Sequence, residues 1–285
     1  MGKETPKVYA DFPKNYSLLD AGGGQKLEKW GEVITIRPER QAYFKSGILF
    51  TDWEKQAHWK FIEKSGQKGV WKNLNPSTKN WQLEIEGLKY NLELTQFKHV
   101  GLFPEQNINW KFIQKNLHPK QRFLNLFAYT GASSLVAKAK GAEVLHVDSV
   151  KQLVGWAKIN METSELSDIK WVLEDALKFA QREAKRGNKC HMIQMDPPAW
   201  GLGAKGEKWK LEDKIQELVQ TCYEILEPKG WLILNTYSPS LKLAQTRSIV
   251  KNIFRNDPET AAELWMKTET GKDMYFGDLV RVRKG

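Results

Sequence analysis

Polar and apolar residues change their rhythm about 120 residues into the chain. Before that point they alternate in short runs: WGEVITIR (30–37), AHWKFIE (57–63), GVWKN (69–73), WQLEIEG (81–87) and KYNLELTQF (89–97). A period of two predicts half-buried antiparallel strands, and KNLNPSTKN (72–80) carries the residues that turns use. Beyond 120, continuous apolar runs alternate with helical spacing. FLNLFAY (123–129), EVLHVD (143–148), IKWVLED (169–175), HMIQMD (191–196) and GWLILNTYS (230–238) predict buried parallel strands. GASSLVAKAKG (131–141), VKQLVGWAKINMETSE (150–165), ALKFAQREAKRG (176–187), KIQELVQTCYEIL (214–226) and a segment from Leu241 to about Arg255 predict the helices between and after them. Two C-terminal strands are expected near 260–268 and 277–283. Such alternation implies an α/β fold, a parallel sheet with helices on both faces, behind a small mostly-β (α+β) N-terminal domain. The expected divisions are 1–100, a connecting segment 101–119, and 120–285.

Composition narrows the field. The 285 residues include 44 Lys and Arg against 34 Asp and Glu, a net charge of +10. Residues 1–120 hold 19 basic and 13 acidic side chains and the rest 25 and 21, so the front is the more basic per residue. A field of this sign attracts polyanions such as RNA, and exposed members of the 12 tryptophans would suit base stacking. No run of 18 apolar residues and no apolar N-terminal leader is present, which predicts neither a membrane span nor a secretory signal. Two cysteines, Cys190 and Cys222, exclude a disulfide framework or a four-cysteine zinc site and suit the cytoplasm. No metal site is expected, and the sequence leaves a homo-oligomer open.

In an open parallel sheet, ligands bind beyond the carboxyl ends of the strands. The first strand ends in AYTGASS (128–134), where Gly131 permits a tight turn and close approach, and the next helix offers free N–H groups. The second ends at Asp148, 17 residues on, where a carboxylate can take ribose hydroxyls. The third ends in Glu174-Asp175, suited to an adenine amino group, and the fourth in Asp196-Pro197-Pro198. Each carboxylate alone is as well read as a cap or turn residue; three at successive strand ends indicate an adenosine-containing ligand. With one glycine at the first turn and no G-x-x-x-x-G-K-[ST], phosphate cradles are poorly supported. S-adenosyl-L-methionine carries no phosphate and needs only one close-approach glycine.

A second glycine run, Leu18-Leu19-Asp20-Ala21-Gly22-Gly23-Gly24, has no βαβ unit after it and only KNYS before it. It reads as a flexible turn beside Lys26 and Arg37, which are candidate RNA contacts.

At NLFAYTGASS (125–134), HVDSV (146–150) and MDPPAWG (195–201) the chain resembles class I S-adenosylmethionine-dependent methyltransferases with a Rossmann-like sheet. It is more particularly similar to the large-subunit rRNA cytosine-C5 and guanine-N methyltransferases. HVGLFPEQ (99–106) and DAGGGQKLEKWG (20–31) carry the resemblance upstream. It implies that Phe127, Tyr129, Gly131 and Ala132 wrap the methionine end of the cofactor, with Asp148 and Ser149 at the ribose. Asp175 and Ala176 would sit at the adenine and Gln106 at the methionine carboxylate or amine. Asp196, Pro197 and Pro198 would line the transfer point.

Methyl transfer from a sulfonium is an in-line displacement, so the acceptor must be aligned and its proton accommodated. A D-P-P turn stiffens backbone carbonyls for an exocyclic amine. The aromatic stacking residue expected after the prolines is Ala199 here, with Trp200 one position late, so Trp200 either stacks on a base or anchors its loop. The cytosine branch of the family places a nucleophilic cysteine at the end of the fifth strand, where this chain reads Asn235-Thr236-Tyr237-Ser238-Pro239. Direct transfer to nitrogen or oxygen is therefore expected, with Tyr237 a further base contact. The segment 199–214 reads as a substrate-closing loop or a solvated charge run, and Arg281, Arg283 and Lys284 as RNA contacts or exposed strand residues. A methyltransferase of protein or small molecules, and a non-catalytic RNA-binding protein, stand as alternatives.

Overall fold

The computed structural model describes residues 5–64, 68–202 and 208–285. The chain divides into two compact units, one of residues 9–108 and 265–276, the other of residues through 8, 109–264 and 277–285. The expected divisions 1–100, 101–119 and 120–285 are consecutive stretches, whereas here residues 265–276 of the C-terminal strands group with residues 9–108.

After a short strand β1 (Lys7–Tyr9) come β2 (Tyr16–Gly22), β3 (Gln25–Trp30), β4 (Val33–Pro38), α1 (Phe50–Gln56), β5 (Trp59–Glu63) and β6 (Gly69–Asn73). β2 to β6 form one sheet in chain order, antiparallel except for β4 and β5, which run parallel through α1. The expected strand 30–37 is broken because Gly31 turns at φ +62, and Trp30 then pairs with Val33. A buried strand does precede the glycine run: β2 pairs antiparallel with β3, and the glycines form the hairpin turn rather than a flexible loop. β7 (Asn80–Ile85) and β8 (Leu88–Glu93) make a second hairpin. A 3-10 turn at Pro104–Gln106 leads into α2 (Asn107–Asn116).

The second unit alternates as its periodicity predicts: β9 (Arg122–Leu126), α3 (Ala132–Ala139), β10 (Glu143–Asp148), α4 (Lys151–Thr163), β11 (Ile169–Leu173), α5 (Ala176–Lys185) and β12 (Cys190–Met195). A small hairpin, β13 (Trp200–Leu202) with β14 (Lys208–Lys210), precedes α6 (Leu211–Ile225), β15 (Leu226–Thr236), α7 (Leu243–Phe254), β16 (Thr260–Lys267) and β17 (Asp273–Arg283). The sheet order is β1-β16-β17-β15-β12-β9-β10-β11, parallel from β15 to β11, with β17 antiparallel on β15. The strand order reverses between β9 and β12, which opens a crevice above their carboxyl ends.

The two sheet faces differ. One carries Leu124, Leu126, Leu145, Val147, Ile193, Met195, Leu232 and Leu234, all buried against α5, α6 and α7. No helix among the described residues is long and apolar enough to cross a membrane.

Candidate active site

Where β9 ends, the chain adopts a strained path. Phe127 and Tyr129 hold φ of +56 and +53, and Gly131 +88. Left-handed backbone costs a non-glycine residue about 1–2 kcal/mol, so the surroundings must impose it. They do: Asp148 Oδ2 accepts the Tyr129 N–H at 2.9 Å, and Asn160 Nδ2 donates to the Thr130 carbonyl at 3.0 Å. A Cβ on Gly131 would lie 3.0 Å from the Ala157 methyl. Asp148 Oδ1 accepts the Val150 N–H at 2.9 Å. Burial raises the Asp148 carboxyl, and the N–H groups of Val150, Tyr129 and Ser149 pull against it. Two oxygens offer about four lone-pair sites, which leaves capacity for ligand hydroxyls.

The face opposite α5 to α7 holds a polar row directly beneath this loop. Trp171, His146, Asn125, Gln194, Ile233 and Arg281 are register partners across β11, β10, β9, β12, β15 and β17. Asn125 Nδ2 donates to Ser134 Oγ at 2.9 Å, and Ser134 Oγ lies 3.1 Å from His146 Nδ1. Ser134 stands in the first turn of α3, so this chain of contacts ties the helix that follows the loop to two strands. Burial lowers the His146 pKa to about 3, so the ring is neutral. Its Nε2 has no hydrogen-bond partner among the described residues. At the other end, Arg281 Nη2 donates to Asn109 Oδ1 at 2.6 Å, and Asn109 Nδ2 donates to Asn235 Oδ1 at 2.6 Å. Arg281 is buried, lies over the Phe112 ring, and is lowered to about 10 by burial. It is neither an RNA contact nor an exposed strand residue.

Above β12, Asp196, Pro197 and Pro198 leave the sheet, and Pro198 bridges Tyr237 in parallel fashion. Burial raises the Asp196 pKa to about 6. Trp200 and Tyr237 are 62% and 43% exposed. Sequence reading missed Trp209. Its Nε1 donates to the Pro198 carbonyl at 2.7 Å, and its ring packs 5.2 Å from Phe127. One side chain therefore touches both the strained loop and the D-P-P turn. It stands two residues before α6, and the Leu211 N–H holds the Ala199 carbonyl at 3.1 Å. Residues 203–207 of the expected closing segment lie outside the described residues.

Asp175 is the N-cap of α5, accepting the Lys178 N–H at 2.9 Å, and Glu174 is paired with Arg182. Ala176 is buried in the first turn of α5, and Ala132 opens α3. Ser149 is partly buried, whereas the apolar Val150 and Leu173 are exposed at the ends of β10 and β11. Leu173 is the register partner of Asp148. Gln106 is buried in the other unit, at the end of the 3-10 turn.

Two expected RNA contacts require correction. Arg37 is buried and donates twice to Glu28, at 2.6 and 2.7 Å, and Lys26 is buried 3.4 Å from the same carboxylate. Burial alone would raise Glu28, but Arg37 and Lys26 hold it at about 2. These cations balance a buried carboxylate and present no charge to a partner. Cys190 and Cys222 are buried and free, and burial pushes the Cys190 thiol up to about 12.

Comparison with known proteins agrees with this geometry. Residues 63–261 match the family model of S-adenosylmethionine-dependent methyltransferases. A crystal structure of an S-adenosylmethionine-dependent methyltransferase from Agrobacterium tumefaciens is 31% identical. Its TM-score is 0.89, covering 100% of this chain and 97% of that one. The ribosomal RNA large subunit methyltransferase K/L of Hahella chejuensis is 30% identical over 207 residues, 71% of this chain and 28% of that protein. The crystal structure of SMU.776 complexed with SAH is 15% identical with a TM-score of 0.78, covering 96% of this chain and 76% of that one, a likeness of fold. The chain belongs to the S-adenosylmethionine-dependent methyltransferases. It spans about a quarter of the length of the curated relatives it matches.

Proposed function

We propose that this protein methylates a base nitrogen of RNA, ribosomal RNA first among the candidates. The observation that carries the reading is the D-P-P turn flanked by two exposed aromatics, Trp200 and Tyr237, at the topological switch point. A flat acceptor suits such a pair, since base stacking on aromatic side chains is tolerant of sequence. The K/L relatives named as ribosomal RNA methyltransferases support the substrate class.

S-adenosylmethionine supplies an electrophilic methyl group when bound. Gly131 gives it close backbone approach, Phe127, Tyr129 and Ala132 surround its methionine end, and Asp148 and Ser149 receive the ribose. Val150 and Leu173 offer apolar surface to the adenine beside Asp175 and Ala176. Asp196 and the carbonyls of the rigid turn orient the acceptor amine, and the Asp196 carboxylate accepts the proton it releases. With Asn235 and Thr236 at the end of β15 and both cysteines buried as thiols, covalent attack on a pyrimidine ring has no nucleophile here. The unit formed largely by residues 9–108 grips RNA, and a cytoplasmic setting accords with the free thiols.

The test is incubation with labelled S-adenosylmethionine and RNA from cells lacking the protein, followed by identification of the modified nucleoside. A purine or pyrimidine methylated on nitrogen is expected. A methylated pyrimidine carbon, or label in protein alone, would overturn the assignment.

A further inference from the structure

Three successive glycines, Gly22 to Gly24, and the buried carboxylate of Asp20 make an unusual hairpin turn. Their geometry shows what they hold. A Cβ on Gly22 would stand 2.3 Å from the Ser46 nitrogen, and one on Gly23 would stand 2.6 Å from the Phe50 ring. The Gly23 and Gly24 N–H groups donate to the carbonyls of Phe44 and Ala42 at 2.9 and 2.7 Å. Asp20 is fully buried and accepts the Gly47 and Ile48 N–H groups at 3.1 and 2.7 Å, the Trp53 indole at 3.1 Å and the Thr270 hydroxyl. The segment from Glu39 to Phe50 is therefore clamped along its length to the hairpin turn.

What this clamped segment displays is apolar and cationic. Tyr43 is 84% exposed, Leu49 69% and Phe50 44%. Arg40 and Lys45 are exposed and make no ion pair among the described residues. The acidic side chains in and just after this stretch lie beside cations: Glu39 is 3.7 Å from Lys26, which it shares with Glu28, Asp52 is 2.7 Å from Lys55 and Glu54 2.6 Å from Lys60. A loop left to solvent needs no such scaffold, whereas binding residues are commonly carried on loops held by a rigid frame.

We infer that this face is an RNA-docking surface, in which Tyr43 and Phe50 stack on unpaired bases and Arg40 and Lys45 meet phosphates. Rigid aromatic platforms beside unpaired cations are the chemistry of single-strand binding. The inference rests on the RNA reading above and replaces Lys26 and Arg37, which face inward, with residues of the same unit that face outward.

The experiment is fluorescence anisotropy of the full chain with a labelled single-stranded RNA oligonucleotide over a salt series, alongside calorimetry with S-adenosylhomocysteine. Tyr43→Ala removes an exposed ring that the fold does not need and is expected to weaken RNA binding on the order of 10-fold or more. Arg40→Gln with Lys45→Gln should flatten the slope of log affinity against log salt by roughly 1 to 1.5. S-adenosylhomocysteine affinity and Tm should not move in either variant. If the wild type binds RNA with salt dependence and both variants match it, the surface is wrong and the RNA reading survives. A wild type without salt-dependent RNA binding sinks both. Altered sedimentation of Tyr43→Ala with unchanged RNA affinity would make this a self-association face instead.

Discussion

Trp209 touches both the strained loop assigned above to the cofactor and the D-P-P turn assigned to the acceptor, and replacing it with Phe separates its two contacts. The indole N–H to Pro198 is lost, while a ring remains against Phe127. Pro198 is exposed, so water satisfies its carbonyl, and the stability change stays near the ordinary net worth of one hydrogen bond, about 0.5–1.5 kcal/mol. The acceptor side suffers more. A displacement of about 1 Å in a positioned group costs on the order of 100-fold in rate. Trp209→Phe should therefore bind S-adenosylhomocysteine like the wild type in calorimetry while its single-turnover methylation falls roughly 10- to 100-fold. Trp209→Ala also removes the ring from Phe127, a pair worth about 0.5–1.5 kcal/mol, and should weaken cofactor-product binding roughly 2- to 10-fold. An unchanged rate in Trp209→Phe refutes the coupling. So does a parallel fall of rate, affinity and Tm in that variant, which would mark Trp209 as packing alone.

Gly131→Ala places a methyl at φ +88 and 3.0 Å from Ala157, so calorimetry should show S-adenosylmethionine affinity lost with a Tm drop of a few degrees. In the proposed mechanism Asp196 must be ionised to accept a proton, and burial raises it to about 6, so the methylation rate should fall tenfold per pH unit below that value. The same raised value means that ionising Asp196 costs stability progressively between about pH 4 and 6, so at neutral pH Asp196→Asn should stabilise the fold by no more than about 3 kcal/mol, seen as a higher Tm, while abolishing transfer. Glu28→Gln leaves Arg37 and Lys26 buried without their carboxylate and should destabilise the N-terminal unit by about 3–5 kcal/mol in thermal unfolding, with cofactor affinity unaffected.

Chain order and strand ends were legible because parallel strands buried on both faces are continuously apolar and their helices are amphipathic. β10 spans Glu143–Asp148 as its run suggests, and Asp148 and Asp196 stand at strand ends. What escaped has physical causes. Lys26 and Arg37 look like surface cations because Arg37, nine residues from Glu28, reaches that carboxylate only once β4 pairs with β3, which sets Arg37 opposite Lys26, the neighbour of Glu28 two residues back on β3. The expected strand through Tyr129 stops at Leu126 because tertiary hydrogen bonds from Asp148 and Asn160 override local preference at Phe127 and Tyr129. Trp209 sits in KWK, a stretch with no strong period, and its partner Pro198 is 11 residues away across a hairpin. Val150 and Leu173 carried a usable signal, an apolar side chain just where a strand gives way to polar turn residues.

The unequal faces of the sheet bear on how the strained loop is kept in place. A sheet buried on both sides gains most from apolar residues, and the α5 to α7 face follows that rule. The other face seats Asn125, His146 and Gln194 side by side two residues below Phe127, Asp148 and Asp196. Each buried polar group costs about 1–3 kcal/mol unless partnered, and His146 Nε2 is unpartnered among the described residues. Conflicts between local rules and stability concentrate at functional sites, and this one lies under the three strand ends to which the proposed mechanism assigns cofactor and acceptor. The row fixes Ser134, and through it the start of α3 and the loop that left-handed backbone would otherwise release. Its cost should be visible in acid. His146 is held near pKa 3, so the folded state refuses a proton that the unfolded chain takes near 6.5. Stability from this group is complete above about pH 6.5 and falls by about 1.4 kcal/mol per pH unit toward 3. His146→Asn should lessen that slope in urea titrations at successive pH values. It should also weaken S-adenosylmethionine binding at neutral pH, and Ser134→Ala should do the same without touching the slope. An unaltered slope, or two variants with wild-type cofactor affinity, would show the row to be passive filling.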